Sequence, residues 1–288
     1  MISPLLALVR PHQWIKNLFV AAPLFFTPRD VSAPAVAHVV LAVICFSAAS
    51  SAVYVLNDWT DREADRRHPT KRERPLAAGT VTPASAAVLA DALGLGAVIL
   101  ALAFLPRGFL LVLLGYVLLN LAYSCGLKRI AIVDVMVIAI GFVLRIYAGG
   151  EVIGVVPTVW IVACTLLLAL FLALAKRRDD LVRGLADAHR ASLAGYNQAF
   201  LDTALAVVLA ALLVCYLLYT TQPDNMARLG SDKLFITAPF VIAGVLRYLQ
   251  ITLVEQRSGS PTRLALSDRF LVLTILGWIV TFAWLMYG

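Results

Sequence analysis

Charged side chains are scarce in this chain. Asp, Glu, Lys and Arg together make up 14% of the 288 residues, whereas 61% of the residues are hydrophobic. Soluble domains carry about a quarter charged residues, so the composition argues against a soluble globular protein. Apolar runs of about 20 residues are long enough to cross a bilayer as helices. The sequence therefore predicts an all-α, polytopic membrane protein.

Cysteine is sparse as well, and it does not form the paired spacing of a zinc or iron–sulfur site. The four cysteines lie in or at the ends of apolar runs, so we interpret them as packing residues. No small-residue cleavage site follows the basic residues Arg10 and Lys16, so we expect no signal peptide. The cysteines are Cys45, Cys125, Cys164 and Cys215.

Nine apolar runs of about 15–23 residues can each form a transmembrane helix. The first run is short and begins with Trp14 and Lys16, so we expect it to be tilted or to lie partly at the membrane interface. We predict one integral-membrane domain over residues 1–288, built as a bundle of nine transmembrane helices. The runs lie near 14–28, 34–56, 83–105, 108–125, 131–149, 156–175, 199–221, 234–254 and 268–287.

Basic residues are distributed unevenly between the two sides of this bundle. If the N-terminus is cytoplasmic, most of the 24 Lys and Arg residues fall in cytoplasmic segments, as the positive-inside rule requires. This orientation places both long polar loops, 57–82 and 176–198, on the cytoplasmic face of the cell (inner) membrane. Topology then accounts for most of the net charge of +7, and we expect no nucleic-acid partner. The exceptions are Arg29, Arg107, Arg228 and Lys233 on the opposite side, and Arg145 and Arg247 inside spans.

One acidic stretch stands between the second and third apolar runs. Asn57 and Asp58 are followed by Asp61 and Asp65, and on a helix these spacings place the carboxylates on one face. Converging carboxylates repel one another unless a cation lies between them, and hard oxygen ligands suit Mg²⁺. The basic residues Lys71, Arg72 and Arg74 come directly after, where they can bind an anion. This combination predicts a magnesium–diphosphate site, although the basic residues are also explained by topology alone.

A second candidate involves a charge inside a predicted span. Arg145 lies eleven residues after Asp134, about three helical turns, so the two side chains can share one face of a helix. Charges within a membrane are costly and usually face a cavity or a partner. A binding role and a purely structural contact both remain open for this pair.

The acidic stretch also carries a family resemblance. The pattern Asn57-Asp58-x-x-Asp61-x-x-x-Asp65, with Arg74-Pro75-Leu76-Ala77-Ala78-Gly79 after it, resembles the first aspartate motif of the UbiA superfamily of membrane prenyltransferases. The nine predicted spans match that fold, and the resemblance covers nearly the whole chain. Other segments are most similar to the polyprenyl-phosphate phosphoribosyltransferase branch: Arg10-Pro11-His12-Gln13-Trp14-Ile15-Lys16-Asn17, His68-Pro69-Thr70-Lys71-Arg72, Tyr123-Ser124-x-x-Leu127-Lys128 with Asp134 and Arg145 after it, and Pro261-Thr262 with Ser267-Asp268-Arg269.

This resemblance implies a reaction. A Mg²⁺-dependent enzyme of this branch transfers 5-phosphoribose from phosphoribosyl pyrophosphate to a polyprenyl phosphate in the bilayer and releases pyrophosphate; some members of the superfamily form homo-oligomers. By this reading the metal ligands are Asn57, Asp58, Asp61 and Asp65, and the catalytic residues are Asp58, Asp61, Lys71 and Arg74. The substrate-binding residues are Gln13, Lys16, Asn57, Lys71, Arg74, Lys128, Asp134, Arg145, Lys176 and Arg177.

The second polar loop departs from the aromatic prenyltransferases, which resemble one another in having a second aspartate motif there. Here the loop begins Lys176-Arg177-Arg178-Asp179-Asp180, with Asp187 further on, a spacing that does not suit a second metal site. We interpret it as a cationic site for a phosphate group, because an anionic lipid acceptor needs cations for positioning and no general base. The alternatives are a UbiA-type transfer of a polyprenyl group to an aromatic acceptor, and a lipid-phosphate transporter.

Overall fold

The structure, a computed structural model, describes residues 3–27, 31–67, 71–184 and 191–287, and these residues form helices and no strands. The all-α prediction is therefore confirmed. Within these ranges, eight helices are long and apolar enough to cross a membrane, and we number them α1 to α8. They are α1 Ala33–Thr60, α2 Pro83–Phe104, α3 Arg107–Cys125, α4 Val133–Ile153, α5 Val159–Val182, α6 Gln198–Thr221, α7 Leu234–Leu253 and α8 Arg269–Tyr287.

The predicted first span, 14–28, is not one of these eight helices. Within it, residues 14–25 belong to a 3₁₀ helix, Pro11–Ala21, and to one short α-helical turn, Ala22–Phe25. The 3₁₀ hydrogen-bonding pattern is rarely kept over so many residues. The number of nine spans and the side of the N-terminus stay predictions.

Four of the long helices begin in the same way, with a polar side chain that accepts a hydrogen bond from a backbone N–H of the first turn. Ser32 caps α1, Thr82 caps α2, Thr158 caps α5 and Asn197 caps α6. Side-chain caps of this kind satisfy the amide groups that a helix start leaves without intrahelical partners. These caps explain why the helices start where the apolar runs do.

The contacts within the chain divide it into two compact units. The first unit contains α1, α2, α3 and the second half of α4, and the second unit contains the first half of α4 together with α5 to α8. One transferase domain over residues 1–288 therefore stays a prediction.

Helix α1 forms the centre of the first unit. It packs against α2, α3 and the 3₁₀ helix Pro11–Ala21, and more than half of its most apolar stretch is buried. Its side chains Phe46 and Cys45 lie in an apolar cluster with Phe109 of α3. Because α1 is surrounded by neighbours, its last turn holds Asp58 in a buried position.

Close packing also brings the 3₁₀ helix Pro11–Ala21 against α4. A Cβ atom on Gly149 would lie 1.9 Å from the carbonyl oxygen of Val20, so this approach requires glycine. The contact places Asn17 of the 3₁₀ helix beside Arg145, one turn before Gly149 on α4.

In the second unit, α5 packs against α6, and α7 packs against α8. An apolar cluster joins these helices and includes Phe171 and Leu174 of α5, Leu205 of α6 and Tyr248 of α7. This cluster ends at the polar C-terminal turns of α5, where Arg177, Arg178 and Asp179 are buried.

Candidate active site

Two buried aspartates of the first unit share one arginine. Asp58 lies in the last turn of α1, and Asp65 lies in the short helix Arg62–Arg66 that follows. Nη1 of Arg74 donates to both carboxylates, at 3.0 Å to Asp58 Oδ1 and 2.7 Å to Asp65 Oδ2. Arg10 Nη2 also donates to Asp58 Oδ1, at 2.6 Å. The two carboxylates therefore converge on one cationic nitrogen, as the spacing of the motif predicts.

This group has the chemistry of a Mg²⁺ site without the closed geometry of one. In the part of the chain that the structure describes, no three His, Cys, Asp or Glu side chains stand close enough together to hold a metal ion. The oxygen Oδ1 of Asn57 is buried and has no hydrogen-bond partner among the described residues, and Asp61 follows at the end of α1. Hard oxygen donors of this type fit Mg²⁺, provided that Arg74 leaves the space between Asp58 and Asp65.

The N-terminal segment adds cations to the first unit. His12 lies next to this group in the chain, and its pKa is lowered by partial loss of its water shell and by the positive charges of Arg10 and Lys16. The positive charges of Arg10 and Lys16 themselves favour binding of an anion here. The predicted residues Gln13, Lys16 and Lys71 are all half-buried here.

Arg145 is buried inside the first unit and is held by neutral groups. Its Nε donates to Asn17 Oδ1 at 2.9 Å, and its Nη2 donates to the Tyr116 hydroxyl at 3.0 Å. The guanidinium group also lies over the rings of Phe46 and Tyr116, at 5.7 and 4.6 Å from their centroids. Such cation–π contacts stabilise a positive charge away from water.

Asp134, at the other end of α4, belongs to the second unit and pairs with Arg177. Arg177 Nε donates to Asp134 Oδ2 at 2.6 Å, and the two side chains are 1% and 0% exposed. The sequence predicted both residues as substrate-binding residues but did not predict that they pair. Asp134 and Arg145 thus each have partners within their own unit.

Two residues that the sequence reasoning missed complete the group around Asp134. Ser192 Oγ donates to Asp134 Oδ2 at 2.9 Å, and the Tyr196 hydroxyl donates to Asp134 Oδ1 at 2.7 Å. Burial and the hydrogen bond to Asp134 raise the pKa of Tyr196, so this hydroxyl stays protonated and keeps donating. These residues lie about 60 positions from Asp134 along the chain, and no local spacing links them to it.

The remaining charges at the end of α5 are paired with neighbouring elements of the second unit. Arg178 binds Asp202 at 2.6 Å and the carbonyl oxygen of Thr252 at 2.8 Å. Asp179 binds Arg183 at 2.8 Å. Asp187, the third acid considered for a second metal site, lies outside the described residues. The neighbouring cation Lys176, like Lys128 after α3, is half-buried.

A further ionic group lies in the second unit before α8. Arg247 of α7 binds Asp268 at 2.8 Å and Glu255 at 2.7 Å, so this charge inside a predicted span is held in ion pairs. The hydrogen bond from Arg247 is the main reason that the pKa of Asp268 is lowered to about 2. Asp268 Oδ1 also accepts the backbone N–H of Leu271 and caps α8.

The first unit brings together Asp58 and Asp65, which the motif places on one helix face, and adds Arg10, which the sequence analysis named only within the N-terminal similarity. The structure gives Arg74 two carboxylate partners, whereas the sequence reading assigned it to donor phosphates. His68, Pro69 and Thr70 of the branch similarity lie outside the described residues.

The comparison with known proteins assigns the chain to a family. Residues 17–272 match the model of the UbiA prenyltransferase family, and the chain therefore belongs to that family, whose members are membrane-embedded enzymes. The same fold occurs in a solved UbiA homolog from Archaeoglobus fulgidus bound to GPP and Mg²⁺, with a TM-score of 0.75 and 21% identity over 99% of this chain and 100% of that chain.

More similar relatives carry a specific name. The chain is 34% identical to a decaprenyl-phosphate phosphoribosyltransferase from Mycolicibacterium smegmatis, over 100% of this chain and 93% of the relative. It is 36% identical to the protein of that name from Mycobacterium tuberculosis, over 95% of this chain and 91% of the relative. These similarities extend over nearly the full length of the chain.

Proposed function

We propose that this protein transfers 5-phosphoribose from phosphoribosyl pyrophosphate to a polyprenyl phosphate and releases pyrophosphate. The names of its full-length relatives support this reaction. The observation that carries it is the pair of distinct ionic groups: acidic Asp58 and Asp65 around one cationic nitrogen, and basic Arg177 with buried donors. The acidic group suits a metal-bound diphosphate, and the basic group suits a phosphate.

In the first group, Asp58, Asp61, Asp65 and Asn57 would supply the oxygen ligands for Mg²⁺. When bound, the metal neutralises the charge that develops on the departing diphosphate. Arg74 bridges Asp58 and Asp65 here, so its guanidinium group must leave these carboxylates before a metal can bind both. Once released, Arg74 can bind donor phosphate oxygens together with Lys71, as the sequence predicts.

The acceptor needs no general base, because a lipid monophosphate is already an anion near neutral pH. Its oxygen attacks the ribose carbon C1 as the bond from C1 to the diphosphate breaks, and no proton has to be removed. Cations must hold the acceptor and the ribose 5-phosphate in place. We assign this task to Lys16, Lys128, Arg145, Lys176 and Arg177, with Gln13 as a polar contact and Asp134 as the partner of Arg177.

Charge distribution supports the orientation of this reaction. Under the positive-inside rule, the basic loops 57–82 and 176–198 support a reaction at the cytoplasmic face of the cell (inner) membrane. Phosphoribosyl pyrophosphate is water-soluble, and the polyprenyl phosphate keeps its tail in the bilayer. Association of this chain into a homo-oligomer is part of the proposal as an expectation from the superfamily.

The second candidate is transfer of a polyprenyl group to an aromatic acceptor, which the match to the UbiA prenyltransferase family supports less specifically. It would need carboxylates for a second metal at the C-terminal end of α5 and in the segment after it. Among the residues described there, Asp179 is paired with Arg183, and Asp180 lies 3.7 Å from Nη1 of Arg177. The spacing of Asp179 and Asp180 does not suit a second metal site, and the relatives that match nearly the whole chain are named phosphoribosyltransferases, so we favour the phosphoribosyl reaction.

A transfer assay with the purified full-length protein tests this choice. The protein in detergent with Mg²⁺ receives radiolabelled phosphoribosyl pyrophosphate and a polyprenyl phosphate, and organic extraction measures labelled lipid. We expect labelled lipid that disappears when EDTA is added. Absence of labelled lipid, together with pyrophosphate release from a polyprenyl diphosphate and an aromatic acceptor, would replace our proposal by the second candidate.

A further inference from the structure

The terminal nitrogens of Arg177 are the least satisfied donors at the end of α5. Arg177 is fully buried, and both Nη1 and Nη2 lack a hydrogen-bond partner among the described residues. Nη1 lies 3.7 Å from Asp180 Oδ2, which is an ion-pair distance but too long for a hydrogen bond. Leaving buried donors of a charged group without partners is costly, and an anionic ligand removes that cost.

Asp134 fixes which edge of the guanidinium group stays available. It accepts from Nε at 2.6 Å, and the Nη1 and Nη2 pair therefore remains at the opposite end of the planar group. Two parallel N–H donors in this arrangement match two oxygens of a phosphate group. The position of Asp134 therefore sets the direction in which Arg177 can bind an anion.

Asp134 is itself held by the segment Ala191–Tyr196. Ser192 and Tyr196 donate to its two oxygens, and the Tyr196 hydroxyl accepts from the backbone N–H of Ile132 at 2.6 Å. The segment packs closely, because a Cβ atom on Gly195 would lie 2.5 Å from Cβ of Ala131. With these bonds made, Asp134 has little freedom to turn away from Arg177.

We propose that Ser192 and Tyr196 are positioning residues: through Asp134 they orient Arg177 so that its Nη1 and Nη2 atoms bind a phosphate monoester of one substrate. This role rests on the proposed function only for the identity of the substrates. The monoester is either the headgroup of the polyprenyl phosphate or the 5-phosphate of the ribose donor. In both cases Ser192 and Tyr196, which follow α5 in the chain, contribute to anion binding through Arg177 without touching the ligand themselves.

A matched pair of tyrosine variants tests this role. The Tyr196 hydroxyl accepts from a backbone N–H and donates to Asp134. The Tyr216 hydroxyl lies in the same unit, accepts from Trp278 Nε1 and pairs with the Thr237 hydroxyl. Tyr196→Phe and Tyr216→Phe therefore each remove one buried hydroxyl with two hydrogen bonds, and Tyr196→Phe alone removes a bond to the partner of Arg177.

The measurement is direct binding of two probes to the full chain in detergent, by calorimetry and without turnover. Farnesyl phosphate represents the lipid monoester, and ribose 5-phosphate represents the donor monoester. We expect Tyr196→Phe to weaken binding of one probe about tenfold, as for loss of a hydrogen bond to a charged group. Tyr216→Phe should change the affinity for both probes less than about twofold. The probe that responds identifies which phosphate Arg177 binds.

A double-mutant cycle separates positioning from a general loss of structure. Arg177→Lys keeps the charge but removes the paired donors, so Tyr196→Phe should add no further loss in that background. Three results would overturn the inference. The first is an equal loss of probe affinity in Tyr196→Phe and Tyr216→Phe, and the second is a loss in the double variant that equals the sum of the losses from Tyr196→Phe and Arg177→Lys. The third is a loss of probe affinity in Arg177→Lys with none in Tyr196→Phe. If the transfer assay fails while these binding results hold, the proposed reaction is wrong and the positioning role remains.

Discussion

The two ionic groups of this protein use the same residue types but differ in how deeply their arginines are buried. In the first unit, Arg10 and Arg74 both bind Asp58, and their side chains are 23% and 30% exposed. In the second unit, Arg177 binds Asp134, and each side chain is at most 1% exposed. The carboxylate is the buried centre of the first group, whereas the arginine with spare donors is the centre of the second.

The contrast suits the two groups to two kinds of charged ligand. Partly exposed arginines can leave Asp58 and Asp65 when a metal ion takes their place, because the arginine charges return to water and the buried carboxylates stay paired. The buried pair Arg177–Asp134 cannot separate so easily, since an unpaired buried charge is strongly unfavourable. The first group is suited to exchange of cations, and the second is suited to fixed presentation of a cation.

The largest effect should come from the carboxylates of the exchangeable group. Asp58→Ala or Asp61→Ala should lower turnover by about a hundredfold or more, because ligands of the metal that stabilises the leaving diphosphate are lost. The transfer assay measures turnover, and gel filtration shows that the folded protein remains. Glu63→Ala is the matched control: this exposed acid binds Arg62 and Arg66 in the same short segment, and its loss should leave turnover near normal. Near-normal turnover in both aspartate variants would remove the metal-site hypothesis.

The first group was largely predictable from the sequence because its members are close in the chain. Helical spacing places Asp58 and Asp65 on one side, and a short turn returns Arg74 to both. The long apolar helices were predictable for the same reason, since each is a local pattern. The capping residues Ser32 and Thr82 lie at the predicted starts.

The second group was not predictable in its arrangement. Asp134, Arg177 and Tyr196 come from three separate elements, and their pairing depends on tertiary packing that no spacing encodes. The 3₁₀ helix Pro11–Ala21 shows the same limit, because an apolar run alone does not distinguish it from a transmembrane α-helix. Long-range pairs of this kind need a structure.

The next largest effect should be on stability, and it should differ between the two ionic groups. Arg177→Ala leaves Asp134 buried without its cation and should lower the free energy of unfolding by about 3–5 kcal/mol. Arg10→Ala should cost about 1 kcal/mol or less, because Arg74 still binds Asp58. Denaturant unfolding in detergent measures both values. Equal losses in the two variants would contradict the distinction between an exchangeable and a fixed group.

Adding one methyl group to the segment that holds Asp134 and Arg177 in place should lower the stability of the protein. Gly195→Ala places a Cβ atom 2.5 Å from Cβ of Ala131, so the segment holding Ser192 and Tyr196 must shift. Overpacking of this kind costs about 1–3 kcal/mol. Gly115→Ala, where nothing lies within 4 Å of the added atom, is the matched control and should be neutral or slightly stabilising. A Gly195→Ala variant as stable as Gly115→Ala would show that the segment has room to adapt.

The smallest effect should come from the more exposed ion pair of the second unit, Arg247–Asp268, and it should depend on pH. The pKa of Asp268 is lowered to about 2, mainly by Arg247, so its ionised form stabilises the folded protein above the usual carboxyl range near pH 4. This contribution is lost as the pH falls from about 4 to about 2. Asp268→Asn keeps an oxygen to cap α8 but removes the charge. Its deficit in unfolding temperature should be constant from pH 5 to 8 and shrink below pH 4, whereas the exposed control Asp232→Asn should show no such trend. A deficit unchanged at pH 2 would mean that Asp268 stabilises the protein through its cap and not through its charge.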